Sequence, residues 1–188
     1  IEGWMEILRD ELPGNDYVSE MQKDVDRLKL VADRFGKVGS EPQLSPENLV
    51  PRLAEMVAYM QKRAPGKVYI SLEAPMNKDV IANISGPIFD WVNLIRNALD
   101  AMEGIGTIQI KLEERNAEVI IDVTDNGSGI AKHQIKKVFL PGFSTKKRGW
   151  GLGLSLAKRV IQEYHNGDIK IAESEVGKGT TFRIVLKS

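Results

Sequence analysis

The sequence predicts an α+β domain preceded by an antiparallel helical hairpin. Apolar residues recur in steps of three and four over residues 17–38, which is the heptad spacing of packed helices. Residues 107–113 and 118–124 instead alternate apolar and less buried side chains on either side of a turn, as two antiparallel strands do. Residues 93–101 show helical spacing and an apolar face suited to covering a sheet.

The composition is that of an ordinary globular protein. Of the 188 residues, 42% are hydrophobic and 28% are charged, and 26 Lys and Arg balance 26 Asp and Glu. This balance gives no indication of a nucleic-acid or membrane partner. The absence of cysteine excludes disulfides and thiolate chemistry, and no apolar run approaches the roughly 20 residues that cross a membrane. We therefore expect a cytoplasmic domain with no nucleic-acid or membrane contact of its own.

The helical hairpin is predicted over residues 1–38. Residues 1–12 and 17–38 have helical apolar spacing, and the helix-breaking residues 13–16 separate them. The apolar side chains of the second helix are Val18, Met21, Val25, Leu28, Ala32 and Phe35. Because a lone hairpin leaves an apolar face uncovered, we expect a homodimer in the form of a two-fold four-helix bundle. Packing against the chain's own globular domain is the alternative.

The start of the chain predicts a larger parent protein. Residue 1 is Ile rather than Met and falls within a helical pattern, so we expect a fragment, with room for a membrane anchor in the parent. Residues 39–46, rich in Gly, Ser and Pro, are predicted to be a linker to a domain at 47–188. A helix is predicted from about Ser45–Asn48 to Arg63, followed by strands at 67–73 and 81–84.

The next helix, beginning near Gly86, carries the first candidate site. Asn93, Asn97 and Asp100 follow the spacing i, i+4 and i+7 and share one face. The apolar side chains predicted to face the sheet are Trp91, Leu94, Ile95, Ala98 and Met102. Asn forms helices poorly, so two on one face indicate a function such as supplying side-chain oxygens to magnesium. Two solvated asparagines are the alternative.

The second candidate site follows the strand at 118–124. Asp125 ends this strand, and Gly127 and Gly129 come directly after it. A carboxylate beside bare backbone can accept a hydrogen bond from an exocyclic amine, and glycine lets a ligand approach closely. A plain Asp-Asn-Gly turn is the alternative. Residues 131–138 are predicted to form a short helix, and the last strands are predicted at 168–173 and 180–186.

Residues 140–154 form the third candidate site, a basic loop that leads into a helix. Three successive cations, Lys146, Lys147 and Arg148, precede glycines at 149, 151 and 153. Free N–H groups at a helix N-terminus attract anions. The dinucleotide-binding fingerprint is not met, because Leu156 stands where a third glycine belongs and no βαβ unit surrounds it.

Five segments together resemble the sequence boxes of sensor histidine kinases, members of the GHKL ATPase superfamily with gyrase. Residues 93–98, 125–129, 139–143, 149–154 and 177–180 resemble the N, G1, F, G2 and final glycine boxes, in the same order. The resemblance implies a two-layer α/β sandwich, a mixed and mainly antiparallel sheet under helices of the Bergerat type. It also implies that the hairpin is a truncated dimerisation and phosphotransfer domain.

The resemblance implies roles for individual residues. Asp125 accepts from the adenine amino group of ATP, Thr180 supports it through water, and Gly127 and Gly129 clear room for the base. Asn97 binds Mg2+, and Asn93 and Asn97 are the implied catalytic residues. The implied nucleotide-binding residues are Asn97, Asp100, Asp125, Gly127, Gly129, Ile130, Phe139, Thr145, Lys146, Lys147, Arg148, Gly149, Gly151, Leu152, Gly153, Leu154 and Thr180.

The resemblance implies an ATP-dependent protein histidine kinase whose partner is a response-regulator receiver domain. The only histidines are His133 and His165, both in the ATP-binding domain, so the phosphoacceptor is expected upstream of Ile1. Val92 occupies a position where similar kinases often have an acid, which puts a base-like role there in doubt. The alternative is a nucleotide-gated conformational ATPase or a non-catalytic nucleotide-binding module of the same superfamily.

Overall fold

The computed structural model describes residues 8, 11, 18, 44–75, 77–84, 92–145 and 151–187. The chain divides into two units, Ile1–Glu41 and Pro42–Ser188. In the first unit Leu8, Glu11 and Val18 are described, and all three are helical. The rest of the predicted hairpin lies outside the described residues. Within the described ranges, no helix is both long and apolar enough to cross a membrane.

The second unit contains a five-stranded sheet with helices packed on one face, and a separate two-stranded sheet. Its strands are β1 (Ser45–Asn48), β2 (Lys67–Glu73), β3 (Ile81–Ile84), β4 (Ile105–Arg115), β5 (Glu118–Asp125), β6 (Asp168–Glu175) and β7 (Gly179–Lys187). Its helices are α1 (Leu49–Gln61), α2 (Val92–Ala101) and α3 (Gly153–Arg159), and α3 continues as a π-helical turn at Val160–Tyr164. The main sheet has the order β2-β4-β5-β7-β6, and β1 pairs with β3 separately. Only β2 and β4 run parallel in these pairings, which confirms the predicted mixed, mainly antiparallel sheet.

The core lies between the sheet and the helices. The predicted apolar face of α2 is confirmed, because Leu94, Ile95, Ala98 and Met102 are all buried, while Trp91 lies outside the described residues. This face contacts β4, β5, β7 and α3. The strands contribute every second residue, for example Val119, Ile121 and Val123 of β5, as the period of two predicts. Burying each such side chain fully stabilises the fold by roughly 1.5–3 kcal/mol.

The opposite face of the sheet carries polar pairs at the Asp125 end of β5 and β7. Asp122 and Arg183 are cross-strand partners on β5 and β7, and their side chains form two hydrogen bonds of 2.6 and 2.7 Å. Two register positions further along, on the same face, Thr124 pairs with Thr181, with 3.0 Å between the two hydroxyl oxygens. On β5 and β7, polar residues of this outer face therefore lie on the same strands as the inner-face residues. Substitutions of the outer residues can serve as controls for substitutions of the inner ones.

The structure corrects the predicted start of the first helix of this domain. Ser45–Asn48, predicted to begin that helix, form β1, which pairs with β3, so the strand begins inside the predicted linker 39–46. Asn48 caps α1 by accepting a hydrogen bond from the Val50 N–H at 3.1 Å. Pro51 then occupies the third position of the helix, where an N–H group has no intrahelical partner. Proline is therefore tolerated in the first turn.

The predicted helix at 131–138 is wrong, because this segment is a series of turns. Its backbone bonds from Gln134 N to the Ala131 carbonyl (2.8 Å) and from Lys137 N to the Gln134 carbonyl (2.7 Å) span three residues, and a single bond from Val138 N to the Gln134 carbonyl (3.0 Å) spans four. Lys136 and Lys137 are exposed, whereas Val138 is buried. A single buried apolar side chain gives a helix little to pack against, and most helical stability comes from such packing.

Candidate nucleotide-binding site

Asp125 places a buried carboxylate at one end of the apolar core between the sheet and the helices. Asp125 is the last residue of β5, lies on the face covered by helices and is 5% exposed. Its Oδ1 accepts a hydrogen bond from the Gly127 N–H at 2.9 Å. Burial raises the pKa of Asp125, and the backbone N–H groups of Gly127 and Thr180 offset part of that shift. Two donors leave a carboxylate with unused acceptor positions, so Asp125 can still accept from a ligand amine.

Asp125 belongs to a row of three polar residues on adjacent strands. Thr180 of β7 pairs with Asp125 in register, and Ser174 of β6 pairs with Thr180. Ser174 Oγ lies 2.9 Å from Thr180 Oγ1 and accepts a hydrogen bond from the Ile130 N–H at 2.8 Å. The row connects the end of the sheet to the loop that follows Asp125. Ser174 is not among the residues that the sequence predicts for the site.

The loop after Asp125 is held from three sides. Asn126 Oδ1 accepts from the Thr107 N–H at 2.9 Å, which ties the loop to β4. The Ser128 N–H donates to the Ala101 carbonyl at the end of α2, also at 2.9 Å. The Gly177 N–H donates to the Ser128 carbonyl at 2.8 Å, which ties the loop to the turn between β6 and β7. These bonds fix the backbone beside the carboxylate before any ligand arrives.

The glycines of this region are required by close packing of the backbone. A Cβ atom on Gly127 would lie 2.7 Å from the Ala101 carbonyl oxygen. Gly129 has a φ of +67°, and a Cβ atom there would meet the Glu175 carbonyl oxygen. Neighbouring main chain therefore occupies the space that these two side chains would need. The role predicted for both glycines, clearing room for a base, stays a prediction.

Helix α2 places Asn97 next to this loop. Asn97 is half-buried and lies one turn before Ala101, the residue whose carbonyl binds the Ser128 N–H. Positions four apart share a helix face, so Asn97 is on the side of α2 that the loop contacts. Asp100 is exposed. Asn93 lies in α2, but its side chain falls outside the described residues.

The third predicted segment is described only at its two ends. The Gly142 N–H donates to the Gly151 carbonyl at 3.1 Å, which joins the two described ends of this segment. Gly151 has a φ of +64° and packs against Gly142 and Phe143, while Leu152, Gly153 and Leu154 form the start of α3. Thr145 is exposed. Lys146, Lys147, Arg148 and Gly149 lie outside the described residues.

Phe139 lies close to the polar row. Its ring packs edge-on against Phe182 with the ring centroids 6.2 Å apart, and Phe182 is two residues from Thr180 on the same face of β7. Lys158 of α3 lies over the Phe139 ring at 5.6 Å. Phe139 therefore links the row to α3.

The sequence of this region matches one known family. Residues 91–188 match the family described as histidine kinase-, DNA gyrase B-, and HSP90-like ATPases. The chain belongs to this family. The match contains α2, the Asp125 loop, α3 and the Thr180 strand, and it confirms the resemblance identified from the sequence boxes.

Relatives of this ATPase-family chain include kinases from two bacteria. The chain is 38% identical over 96 residues to sporulation kinase C of Bacillus subtilis (strain 168), covering 51% of this chain and 22% of that kinase. It is 30% identical over 195 residues to the signal transduction histidine-protein kinase AtoS of Escherichia coli (strain K12), covering 99% of this chain and 32% of AtoS. The chain thus spans between about a fifth and a third of the length of these relatives.

Solved structures of histidine kinases share the fold. The catalytic domain of ThkA superposes with a TM-score of 0.68 at 26% identity, covering 77% of this chain and 95% of that domain. Full-length ShkA in complex with AMPPNP has a TM-score of 0.75 at 22% identity, covering 98% of this chain and 41% of ShkA. ThkA in complex with the response regulator TrrA has a TM-score of 0.71 at 21% identity, covering 99% of this chain and 56% of ThkA. These likenesses confirm the predicted fold of the domain.

Proposed function

We propose that this chain is the ATP-binding core of a protein histidine kinase. It binds ATP with Mg2+ and transfers the γ-phosphoryl group to a histidine, from which the group passes to an aspartate of a response regulator. The observation that carries the proposal is the Asp125 carboxylate, buried on the inner sheet face within the family-matched region. The names of the relatives, which are kinases, and the AMPPNP bound to ShkA support it.

Asp125 recognises the base in this proposal. Its carboxylate lies in an apolar layer, where a hydrogen bond from an exocyclic amine is worth more than in water. The backbone donors Gly127 and Thr180 hold the carboxylate without using all of its acceptor positions. Thr180 and its neighbour Ser174 place hydroxyl groups beside the carboxylate. The site therefore offers both an acceptor and hydroxyl groups to the edge of a purine.

Asn97 is the proposed ligand of magnesium. Its side-chain carbonyl is a hard oxygen ligand, and its half-buried position beside the Asp125 loop fits an ion held mainly by nucleotide phosphates. In the described ranges, no group of three or more His, Cys, Asp or Glu side chains could hold a metal. Magnesium, when bound, neutralises charge on the triphosphate. Asn93 is proposed to lie near the phosphates, and Lys146, Lys147 and Arg148 to neutralise more of their charge.

The proposal includes the partners of the domain. Residues 1–38 form a homodimer, and the second partner is a receiver domain, as the complex of ThkA with TrrA suggests. The domain acts in the cytoplasm, with the phosphoacceptor histidine on the segment expected before Ile1. The proposed homodimer would bring one protomer's nucleotide site within the same assembly as its partner's histidine.

Transfer of label from [γ-32P]ATP tests the proposal. The protein is extended upstream of Ile1 to include the expected histidine and is incubated with Mg2+ and a receiver domain. We expect label on the kinase that is stable in base and labile in acid, followed by label on the receiver. The Asp125→Asn variant should lose this label, and Asp122→Asn, on the opposite face of the same strand, should keep it. Hydrolysis to free phosphate with no labelled protein would contradict the proposal and favour a conformational ATPase.

A further inference from the structure

The side chain of Gln61 covers one edge of the main sheet. Strand β2 lies at the end of the strand order β2-β4-β5-β7-β6, so the side of β2 that faces away from β4 is an edge. Gln61 is the last residue of α1, and its side-chain Nε2 donates to the Val68 carbonyl at 2.9 Å. Its Oε1 accepts from the Ile70 N–H at 2.8 Å. Both polar atoms of this amide therefore bind the backbone of β2.

These two bonds take the place of a neighbouring strand. In a parallel pair, one residue donates to a carbonyl of the facing strand and accepts from an N–H group two residues later, as Gln61 does with Val68 and Ile70. Because backbone groups of successive strand residues point to opposite sides, Tyr69 between them points to its register neighbour on β4. Val68 and Ile70 are only 1% and 7% exposed, so without Gln61 their carbonyl and N–H groups would need another partner.

The sequence of β2 is well suited to pairing with a copy of itself. Residues 68–72 carry no charge and include three β-branched or aromatic side chains, and the opposite charges of Lys67 and Glu73 at the strand ends cancel. The strand contains neither Pro nor Gly. Segments of about this length with high β-propensity and low net charge associate with one another when they are exposed. Tyr69 adds a side chain that is 75% exposed on the sheet face away from the helices.

The other edge of the sheet, β6, is protected in a different way. An extra residue at Ala172 makes a bulge in its pairing with β7. The strand also carries four charged side chains, Asp168, Lys170, Glu173 and Glu175. Bulges and charges both discourage edge-to-edge pairing. The pairing of β2 with β4 is continuous from residue 67 to residue 73, so the protection of this edge depends on the side chain that covers it.

We propose that Gln61 prevents two copies of this chain from pairing through β2. Without its side chain, the two β2 strands pair antiparallel about a two-fold axis at Tyr69, which is the commonest symmetry of assemblies. Each Val68 then faces an Ile70 of the second copy, so the carbonyl and N–H groups released from Gln61 bind each other. The two Tyr69 side chains lie directly opposite, and cross-strand aromatic pairs stabilise sheets.

Analytical ultracentrifugation of the full chain tests the inference, with the mass of the wild type as the reference for any assembly through residues 1–38. Gln61→Ala should reach at least about twice the wild-type mass at tens of micromolar. Adding Tyr69→Lys to Gln61→Ala should restore the wild-type mass, because two like charges would face each other at the two-fold axis. If Gln61→Ala does not fold, Gln61→Glu replaces it. Its carboxylate still accepts from the Ile70 N–H but cannot donate to the Val68 carbonyl, so the same rise in mass is expected.

The matched control for lost stability is Asn48→Ala. The Asn48 side chain also binds two backbone groups, the N–H groups of Val50 and Val80 at 3.1 and 3.3 Å, and neither belongs to β2. Urea unfolding measures how far each variant is destabilised, and Asn48→Ala should keep the wild-type mass.

Two results would overturn the inference. A Gln61→Ala chain with the wild-type mass would show that the edge of β2 does not pair when it is uncovered. Association of Asn48→Ala to the same extent, or association of Gln61→Ala that Tyr69→Lys does not reverse, would show that the rise in mass comes from partial unfolding instead of pairing through β2.

Discussion

Asp125 and Thr180 are direct partners across β5 and β7, and the Thr180 backbone N–H donates to the Asp125 carboxylate. Gly179, the residue before Thr180, approaches the Asp125 carbonyl so closely that a side chain there would collide with it. Gly127 donates the second backbone hydrogen bond to the carboxylate, at 2.9 Å. The main chain therefore sets the position of this carboxylate, and a substitution of Asp125 leaves that main chain in place.

The stability of the domain should depend on pH through Asp125. Burial raises the pKa of this carboxyl above 3.8, its ordinary value, so the folded state favours the protonated form. The stability that Asp125 contributes is therefore fully present below pH 3.8 and is lost as the pH rises through the raised folded value. Urea unfolding of wild type and Asp125→Asn between about pH 4 and pH 7 measures this contribution. The free energy of unfolding of wild type minus that of the variant should fall as the pH rises.

Comparison with the variant cancels the titration of all other groups, because the asparagine side chain of Asp125→Asn does not titrate. A difference that is constant over this range would mean that folding does not shift the pKa of Asp125. A difference that grows with pH would mean that the hydrogen bonds from Gly127 and Thr180 outweigh burial, which is the opposite sign.

Asn97→Ala should weaken magnesium-dependent ATP binding and remove phosphotransfer while the fold survives. The substitution removes the proposed oxygen ligand from the half-buried side of α2. Calorimetry should show about a tenfold loss of ATP affinity with magnesium and little change with EDTA. Arg96→Gln, at the neighbouring exposed position, is the control and should bind as wild type. An unchanged phosphotransfer rate in Asn97→Ala at limiting magnesium would reject the role.

Residues 141–148 should become more ordered when ATP and magnesium bind. Three adjacent cations repel one another in the empty loop, and a triphosphate would cancel that repulsion. Because Gly142 and Gly151 are hydrogen-bonded to each other without a ligand, the gain in protection should be largest between them. Amide exchange across residues 140–153 with and without ATP measures it. Protection that does not change would show that this segment is a solvated loop without ligand contact.

Replacing Lys146, Lys147 and Arg148 together by Ala should weaken ATP binding more than adenosine binding. Only the phosphates interact with these charges, so the loss should also shrink at high salt. Titrations with both ligands at low and high ionic strength measure the difference. An equal loss for ATP and adenosine would assign the effect to the fold of the loop instead.

Residues 1–38 should make the chain a dimer. The apolar spacing of the second predicted helix, from Val18 to Phe35, leaves a face that a second copy would cover. Light scattering at tens of micromolar should give a dimer for the chain and an ATP-binding monomer after removal of residues 1–44. This cut leaves β1, which begins at Ser45, intact. A chain that stays monomeric, also when extended upstream, would contradict the prediction.

The periodic elements could be predicted from sequence because their side chains repeat. The alternation at Val119, Ile121 and Val123 predicts β5, and the buried face of α2 follows from its helical spacing. The chain turns between β4 and β5 at Asn116 and Ala117, whose φ angles of 52° and 63° are unusual for residues other than glycine. The sequence predicts a turn near Arg115–Asn116, but nothing in the residue types identifies Ala117 as left-handed.

The features that could not be predicted from the sequence depend on contacts between segments that lie far apart along the chain. Ser45–Asn48 become a strand because β3 pairs with them, and that partner lies more than thirty residues later. Ser174 reaches the polar row because of the extra residue at Ala172, which strict alternation does not reveal. A small polar residue between Glu173 and Glu175 was the one available signal. The position of Asp125 at the end of β5, before a glycine-containing loop, could be predicted because the acid and the two glycines lie close together in the sequence.

Calorimetry of ATP binding to Asp125→Asn tests most directly whether the Asp125 carboxylate recognises the base. The asparagine amide of the variant would point an N–H donor at the amino group of the base, which is also a donor. Losing one buried hydrogen bond costs roughly 1–3 kcal/mol, and the upper value lowers the affinity more than tenfold. The control is Asp122→Asn, whose carboxylate binds Arg183 on the opposite face at 2.6 and 2.7 Å. We expect Asp125→Asn to lose most of its affinity for both ATP and ADP and Asp122→Asn to keep it. Normal binding of both nucleotides by Asp125→Asn would show that Asp125 is only a turn residue.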